Sequence, residues 1–205
     1  MGIVILIILV NAAASFAAFN SADLMNRLLM RPYAIKNYNQ WYRFITSGFI
    51  HANWTHLLFN MLVFYSFGQA VVSYYNYYFG SHATYYFIIL YLGSMVTADL
   101  PTYIKHRNDS WYASLGASGA VSAVLFTSIL INPLATVYFY FFPMPGIVMG
   151  VLYLIYSWYM ARKGGIDNIN HDAHFYGALC GIIFTLLLRP AFGSEFIGKL
   201  LHVSF

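Results

Sequence analysis

The amino-acid sequence predicts an all-α membrane protein, a bundle of six transmembrane helices with a first loop lying in the membrane interface. Three observations carry this. The 205 residues are 60% hydrophobic and only 8% charged, where a soluble domain carries about a quarter charged residues. No Asp, Glu, Lys or Arg occurs between Phe44 and Ala98, or between Ser110 and Ala161, and each run can hold two spans of roughly 20 residues. The few polar side chains inside those runs recur near predicted helix starts rather than at random.

The first helix is expected over residues 1–19, an uncharged stretch without the basic leader of a signal peptide, read here as retained. Residues 20–41 carry Arg27, Arg31, Lys36 and Pro32 among Leu and Met. That mixture suits an interfacial loop anchored by Trp41, Tyr42 and Arg43. The second and third helices are expected at about 51–71 and 83–99, followed by a polar loop from Asp99 to Tyr112. The fourth runs about 114–131 and stops at Asn132-Pro133, because the residue before a proline avoids the helical region. The fifth follows Pro143 and Pro145 at about 146–161, and Arg162–Asn170 with its Gly164-Gly165 is a flexible polar loop. The sixth covers about 172–188, ends at Arg189-Pro190, and leaves a short tail. No repeat or second domain is evident, so residues 1–205 read as one membrane domain.

Composition narrows the function. Ten Lys and Arg against six acids are too sparse and scattered a basicity for a nucleic-acid surface. Cys180 is alone, which rules out an internal disulfide. The nineteen Tyr and eighteen Phe fit interfacial belts and lipid-facing surface.

Helices two, four and six start from one membrane face, since a return crossing separates each pair. Near those starts lie His51, His56 and Asn60, then Ser118, then Asp172 and His174. At 1.5 Å per residue, Ser118 and His174 fall within roughly one turn of the same depth. His56 and Asn60, spaced i and i+4, share a helix face. Bland readings compete at each position. Gly116-Ala117-Ser118-Gly119 can be a small-residue packing patch, and a membrane-buried His or Asn often bonds a neighbouring helix. His51 suits a loop-binding role, Asp172 an N-terminal cap, and Gly177-xxx-Gly181 a close-packing surface that would press helix six onto helix four.

Convergence favours chemistry over packing. A serine hydroxyl needs a neighbouring base before it attacks, and His174 is the histidine at matching depth. Ser118 and His174 would form a dyad, with Asp172 on the wrong face to orient the imidazole. His56, Asn60 and the Ser118 backbone N–H could stabilise an oxyanion. A metal site is the competitor, but His51-x4-His56 lacks the zinc-protease spacing and an accompanying carboxylate. The stretch Gly116-Ala117-Ser118-Gly119-Ala120 also differs from the Gly-x-Ser-x-Gly elbow of soluble hydrolases.

These residues resemble the rhomboid intramembrane serine proteases. The resemblance rests on His51-Ala-Asn-Trp-Thr-His56-Leu-Leu-Phe-Asn60, on Gly116-Ala-Ser118-Gly119, and on Ala173-His174-Phe-Tyr-Gly177-Ala-Leu-Cys-Gly181, with Arg43 matching the arginine of the family's first loop. It extends from about Trp41 to Leu188. What it implies is a six-helix bundle in which Ser118 is the nucleophile and His174 the general base. His56 and Asn60 would bind the oxyanion, and water would enter from outside. Substrates would be single-span membrane proteins cut in or near their transmembrane segment, with no metal and no organic cofactor. Loop Arg162–Asn170 would be a movable cap, with Ile169 at the position that plugs the cavity. In one departure, Ser122 replaces an aromatic that often stacks on the catalytic histidine.

The resemblance further implies a multi-pass protein of a bacterial cytoplasmic membrane whose site opens to the extracytoplasmic side. The charge pattern opposes this, because Arg27, Arg31, Lys36, Arg43, Lys105, Arg107, Arg162 and Lys163 would all lie outside, against the positive-inside rule. The alternative function is a catalytically inactive rhomboid-like protein that binds transmembrane helices. A transporter ranks third, since its ionisable groups would sit near the midplane.

Overall fold

A computed structural model describes residues 2–139, 141–163 and 169–201. Helix α1 (Ile3–Phe19) leads into a first loop built of three short helices, α2 (Ala22–Leu28), α3 (Pro32–Tyr38) and α4 (Arg43–Thr46), with a 3-10 turn at Ser47–Phe49. Then come α5 (Trp54–Phe79), α6 (Ala83–His106), α7 (Ser118–Ile131), α8 (Gly146–Lys163), α9 (His171–Leu188) and α10 (Ala191–Leu201).

The six long helices expected from the sequence are all present, with shifted ends. Helix α5 starts at Trp54, where Asn53 caps it by accepting from the His56 N–H at 2.8 Å, so His51 lies in the preceding loop. It then runs on to Phe79. Helix α6 continues seven residues past the expected end at Asp99, through Pro101, to His106. Proline removes a single N–H from the ladder, and the surrounding bundle tolerates it. The run Trp54–His106 and helix α9 are long and apolar enough to cross a membrane; α1 and α7 are shorter apolar helices.

Two elements depart from expectation. Thr136–Phe139 and Phe142–Pro145 pair as antiparallel strands β1 and β2, with Thr136 opposite Pro145 and Phe139 opposite Phe142. Branched and aromatic residues favour the extended state there, while Pro143 and Pro145 forbid a helix. The expected short tail is helix α10, which buries Phe192. Arg189 ties α10 down, pairing with Glu195 at 2.6 Å and lying over the Tyr78 and Phe192 rings.

Helix α7 is the axis of the bundle: every residue from Gly119 to Ile131 is buried. Helix α9 lies against it so closely that a Cβ on Gly177 would overlap the Gly119 carbonyl, and one on Gly181 would overlap that of Ala123. Further along, the Thr127 hydroxyl contacts the Thr185 hydroxyl at 2.9 Å and donates to the Gly181 carbonyl, polar adhesion of the kind that joins helices in lipid. On the other side, Phe64, Phe87 and Tyr91 form the aromatic centre of the α5–α6–α7 core.

Candidate active site

Ser118 is the first residue of α7, His174 the fourth of α9 and His56 the third of α5. The starts of these three helices meet through glycines. Gly119 has the Ala173 carbonyl 3.4 Å from where its Cβ would be, which places the residue after Ser118 against the residue before His174. The His56 ring stands 2.7 Å from where a Gly116 Cβ would be, and the Gly116 φ of +118° is one that residues with side chains rarely adopt. Ser118 therefore sits between a contact with the α9 start and a contact with the His56 imidazole. Ser118, His56 and His174 are half-buried, and Asn60 is buried.

Hydrogen bonding sets the His56 tautomer. The Ala52 N–H donates to His56 Nδ1 at 3.4 Å, so the neutral ring carries its proton on Nε2, the nitrogen that lies near Gly116. That atom is a donor facing the loop before Ser118. Asn60 donates from its side chain to the His56 carbonyl at 3.1 Å, which holds it on the same face of α5. Ala117, the residue before α7, has no side chain that could cap it, so the first backbone N–H groups of α7 remain available as donors.

His51 has a supporting place. Fully buried, its Nδ1 meets the Ser15 hydroxyl of α1 at 2.9 Å. Ser15 donates to the Phe49 carbonyl at 3.3 Å, so it accepts from Nδ1–H. Burial, then the neighbouring His56, pushes the His51 pKa down to about 3, which keeps the ring neutral. The two rings stand edge to face, 5.1 Å apart.

Arg43 organises the first loop. Its guanidinium donates to the Leu29 carbonyl at 2.7 Å, the Asn26 carbonyl at 3.0 Å and the Gln40 side chain at 2.6 Å. The loop it shapes is stitched to the segment before Ser118. Met30 and Ser114 exchange backbone hydrogen bonds at 3.0 Å, and the Gly116 N–H donates to the Ser47 carbonyl at 2.9 Å.

Sequence reasoning left the support of His174 open and missed four residues around it. Tyr153 of α8 supplies the ring that Ser122 lacks: it lies over His174 with centroids 6.1 Å apart and planes 23° from parallel. Ser122 Oγ donates to the Ser118 carbonyl at 2.8 Å and accepts from the Tyr153 hydroxyl at 2.5 Å. The serine thus holds the tyrosine that replaces an aromatic at its own position. Asp99, Thr102 and Asn170 are the others. Asn170, not Asp172, caps α9, accepting from the Ala173 N–H at 3.1 Å; Asp172 pairs with Lys105 at 2.9 Å. A cavity of about 20 Å³ lies beside Ser118, lined also by Gly48, Asp99, Ser114 and Asn170. It has room and polar partners for a water molecule.

Ile169 is 45% exposed and its carbonyl accepts from the His171 N–H at 3.0 Å. Most of the expected cap, residues 164–168, lies outside the described residues.

Residues 38–191 match the family model described as the Rhomboid domain. The chain is 28% identical to RHOMBOID-like protein 12, mitochondrial, of Arabidopsis thaliana, over 83% of this chain and 53% of that protein. It is also 28% identical to Rhomboid-like protein 11, chloroplastic, of the same plant, over 76% of this chain and 55% of that protein. The chain thus spans about half the length of these two curated relatives. With the domain match covering well over half of its residues, the chain belongs to the rhomboid family.

Proposed function

We propose that the protein is an intramembrane serine endopeptidase. It would act as one membrane domain of six crossings and cut single-span membrane proteins in or near their transmembrane segment. The observation that carries the reading is the placement of Ser118 between the α9 start, which bears His174, and the His56 ring. Ser118 is the nucleophile and His174 takes its proton. The attack forms a tetrahedral intermediate whose oxyanion takes hydrogen bonds from the Ser118 N–H, His56 Nε2–H and Asn60. His174 then returns the proton to the leaving amine, and a water, for which the chamber beside Ser118 has room, hydrolyses the acyl enzyme. At 14 residues, α7 is about 21 Å long, shorter than a hydrocarbon core of about 30 Å. We read α7 as starting below the membrane surface, with Ser118 at the depth of a substrate helix. No metal or organic cofactor has a role in this chemistry.

The purified protein in detergent is expected to react covalently with a fluorophosphonate, and peptide mapping should place the adduct on Ser118. A chelator should leave both labelling and cleavage of a model single-span substrate unchanged. A folded protein that neither labels nor cleaves would instead fit the rhomboid-like protein that binds helices without cutting them. Cleavage sensitive to the chelator and retained without Ser118 would assign the chemistry to a metal.

The site is proposed to open away from the cytoplasm, with both termini inside. Four of the eight cations that oppose this orientation are engaged locally. Arg27 pairs with Asp23 and Lys105 with Asp172, Arg43 is spent on loop carbonyls, and Arg162 stacks on Trp158. In intact cells an impermeant thiol reagent should label Asn108→Cys and spare Ser194→Cys. The opposite pattern would invert the protein.

A further inference from the structure

The carboxylate of Asp99 has no part in the acyl-transfer chemistry, yet it lines the same small chamber as Ser118. Its helix presents Asp99, Thr102 and Lys105 at i, i+3 and i+6, one stripe of α6. That stripe meets the first turn of α9. Asn170 Nδ2 donates to Asp99 Oδ1 at 3.2 Å. Thr102 Oγ1 donates to Asn170 Oδ1 at 3.0 Å, and Lys105 holds Asp172. The orientation of the Asn170 amide is fixed by its partners: Oδ1 must face the Ala173 N–H and the Thr102 hydroxyl, so Nδ2 must face Asp99. Nδ2 also reaches Ser114 Oγ at 3.5 Å, four residues ahead of Ser118.

We propose that Asp99 and Asn170 form a clamp that positions the start of α9, and with it His174, against Ser118. The proposal rests on the protease reading and deepens it. Asp99 and Asn170 are positioning residues, since neither touches the reacting atoms. The logic is geometric. His174 is one turn beyond Asn170 on the same helix, so what holds Asn170 in place also holds the base. A carboxylate on α6 provides that hold, and α6 also packs on α7 through Ala98 and Gly119. One helix thus references both the nucleophile and the base.

Exchanging the donor and the acceptor tests the clamp. Asn170→Asp keeps the α9 cap, since aspartate caps as well as asparagine, and keeps the acceptor for Thr102. It loses the donor to Asp99 and sets two carboxylates face to face. Fluorophosphonate labelling of Ser118 should slow about tenfold. Combining it with Asp99→Asn restores a donor–acceptor pair with the roles reversed, and labelling should return to within about threefold of the parent. The melting temperature of each variant is measured alongside, and the double variant should recover what the single variant loses. Asn170→Asp labelling at the parental rate would reduce Asn170 to a helix cap and overturn the proposal, as would a double variant as slow as Asn170→Asp. If the parent itself does not label, the protease reading has failed. The clamp is then judged on melting temperature alone, where absence of recovery in the double variant refutes it.

Discussion

Replacing His174 with alanine is expected to reduce peptide-bond cleavage about 10⁵-fold, and Ser118→Ala should do the same, because a nucleophile and its base act as one unit and losing either loses both. The residual rate would come from the oxyanion donors, which remain in place. Neither change should unfold the protein. Both side chains are half-buried, so their removal leaves no closed apolar void, and melting should stay within a few degrees of the parent. The measurement is single-turnover cleavage of a model single-span substrate, with fluorophosphonate labelling as a second readout that needs no substrate helix. A His174→Ala protein keeping more than about a hundredth of the parental rate, where loss of a base typically costs far more, would move the general base elsewhere. The first place to look would be His171, whose ring stands edge-on to His174 at 5.8 Å.

The sequence and the structure agree where hydrophobic runs and helix starts decide the answer. The spacing of charged residues located six long helices, and the depth argument brought Ser118, His56 and His174 to one end of the bundle. The rise per residue and the alternation of direction suffice for that placement, and both survive errors of a few residues at helix ends. Lateral detail is not contained in them. Asp99 looked like the first residue of a polar loop, because Pro101, Lys105, Arg107 and Asp109 follow it. The helix continues instead because Asp99 faces inward and finds the Asn170 amide, a partner 71 residues away. The pairing of Asp99 with Thr102 at i, i+3 was the available signal, and it is too common to weigh without knowing what it faces. Tyr153 was hidden for a related reason. Among nineteen tyrosines, nothing local distinguishes the one whose ring lies over His174, and only the packing of α8 against α9 singles it out. The hairpin at 136–145 was missed because its prolines were read only as helix boundaries, when they also permit an edge strand.

Gly177→Ala is expected to be among the most damaging single-methyl additions in the chain. The new Cβ would overlap backbone atoms of Gly119, and backbone cannot rotate aside as a side chain can. Helix α7 cannot retreat either, because every residue from Gly119 to Ile131 is buried among the surrounding helices. Relief must come from α9 moving outward. His174 precedes Gly177 by three residues and shares its face of the helix, so it moves too. Overpacking of this kind costs about 1–3 kcal/mol, which for a chain of this size lowers the melting temperature by roughly 2–12 °C. The loss of labelling at Ser118 should exceed what the stability loss explains, reaching about a hundredfold, because misplacing a catalytic group by an ångström can cost that much. Gly93→Ala, on α6 where a Cβ would meet nothing within 4 Å, is the matched control and should melt at or slightly above the parent, as alanine favours the helix. Normal melting and normal labelling in Gly177→Ala would mean that α7 and α9 are not in backbone contact at the site, and the placement of His174 against Ser118 would fall with that contact.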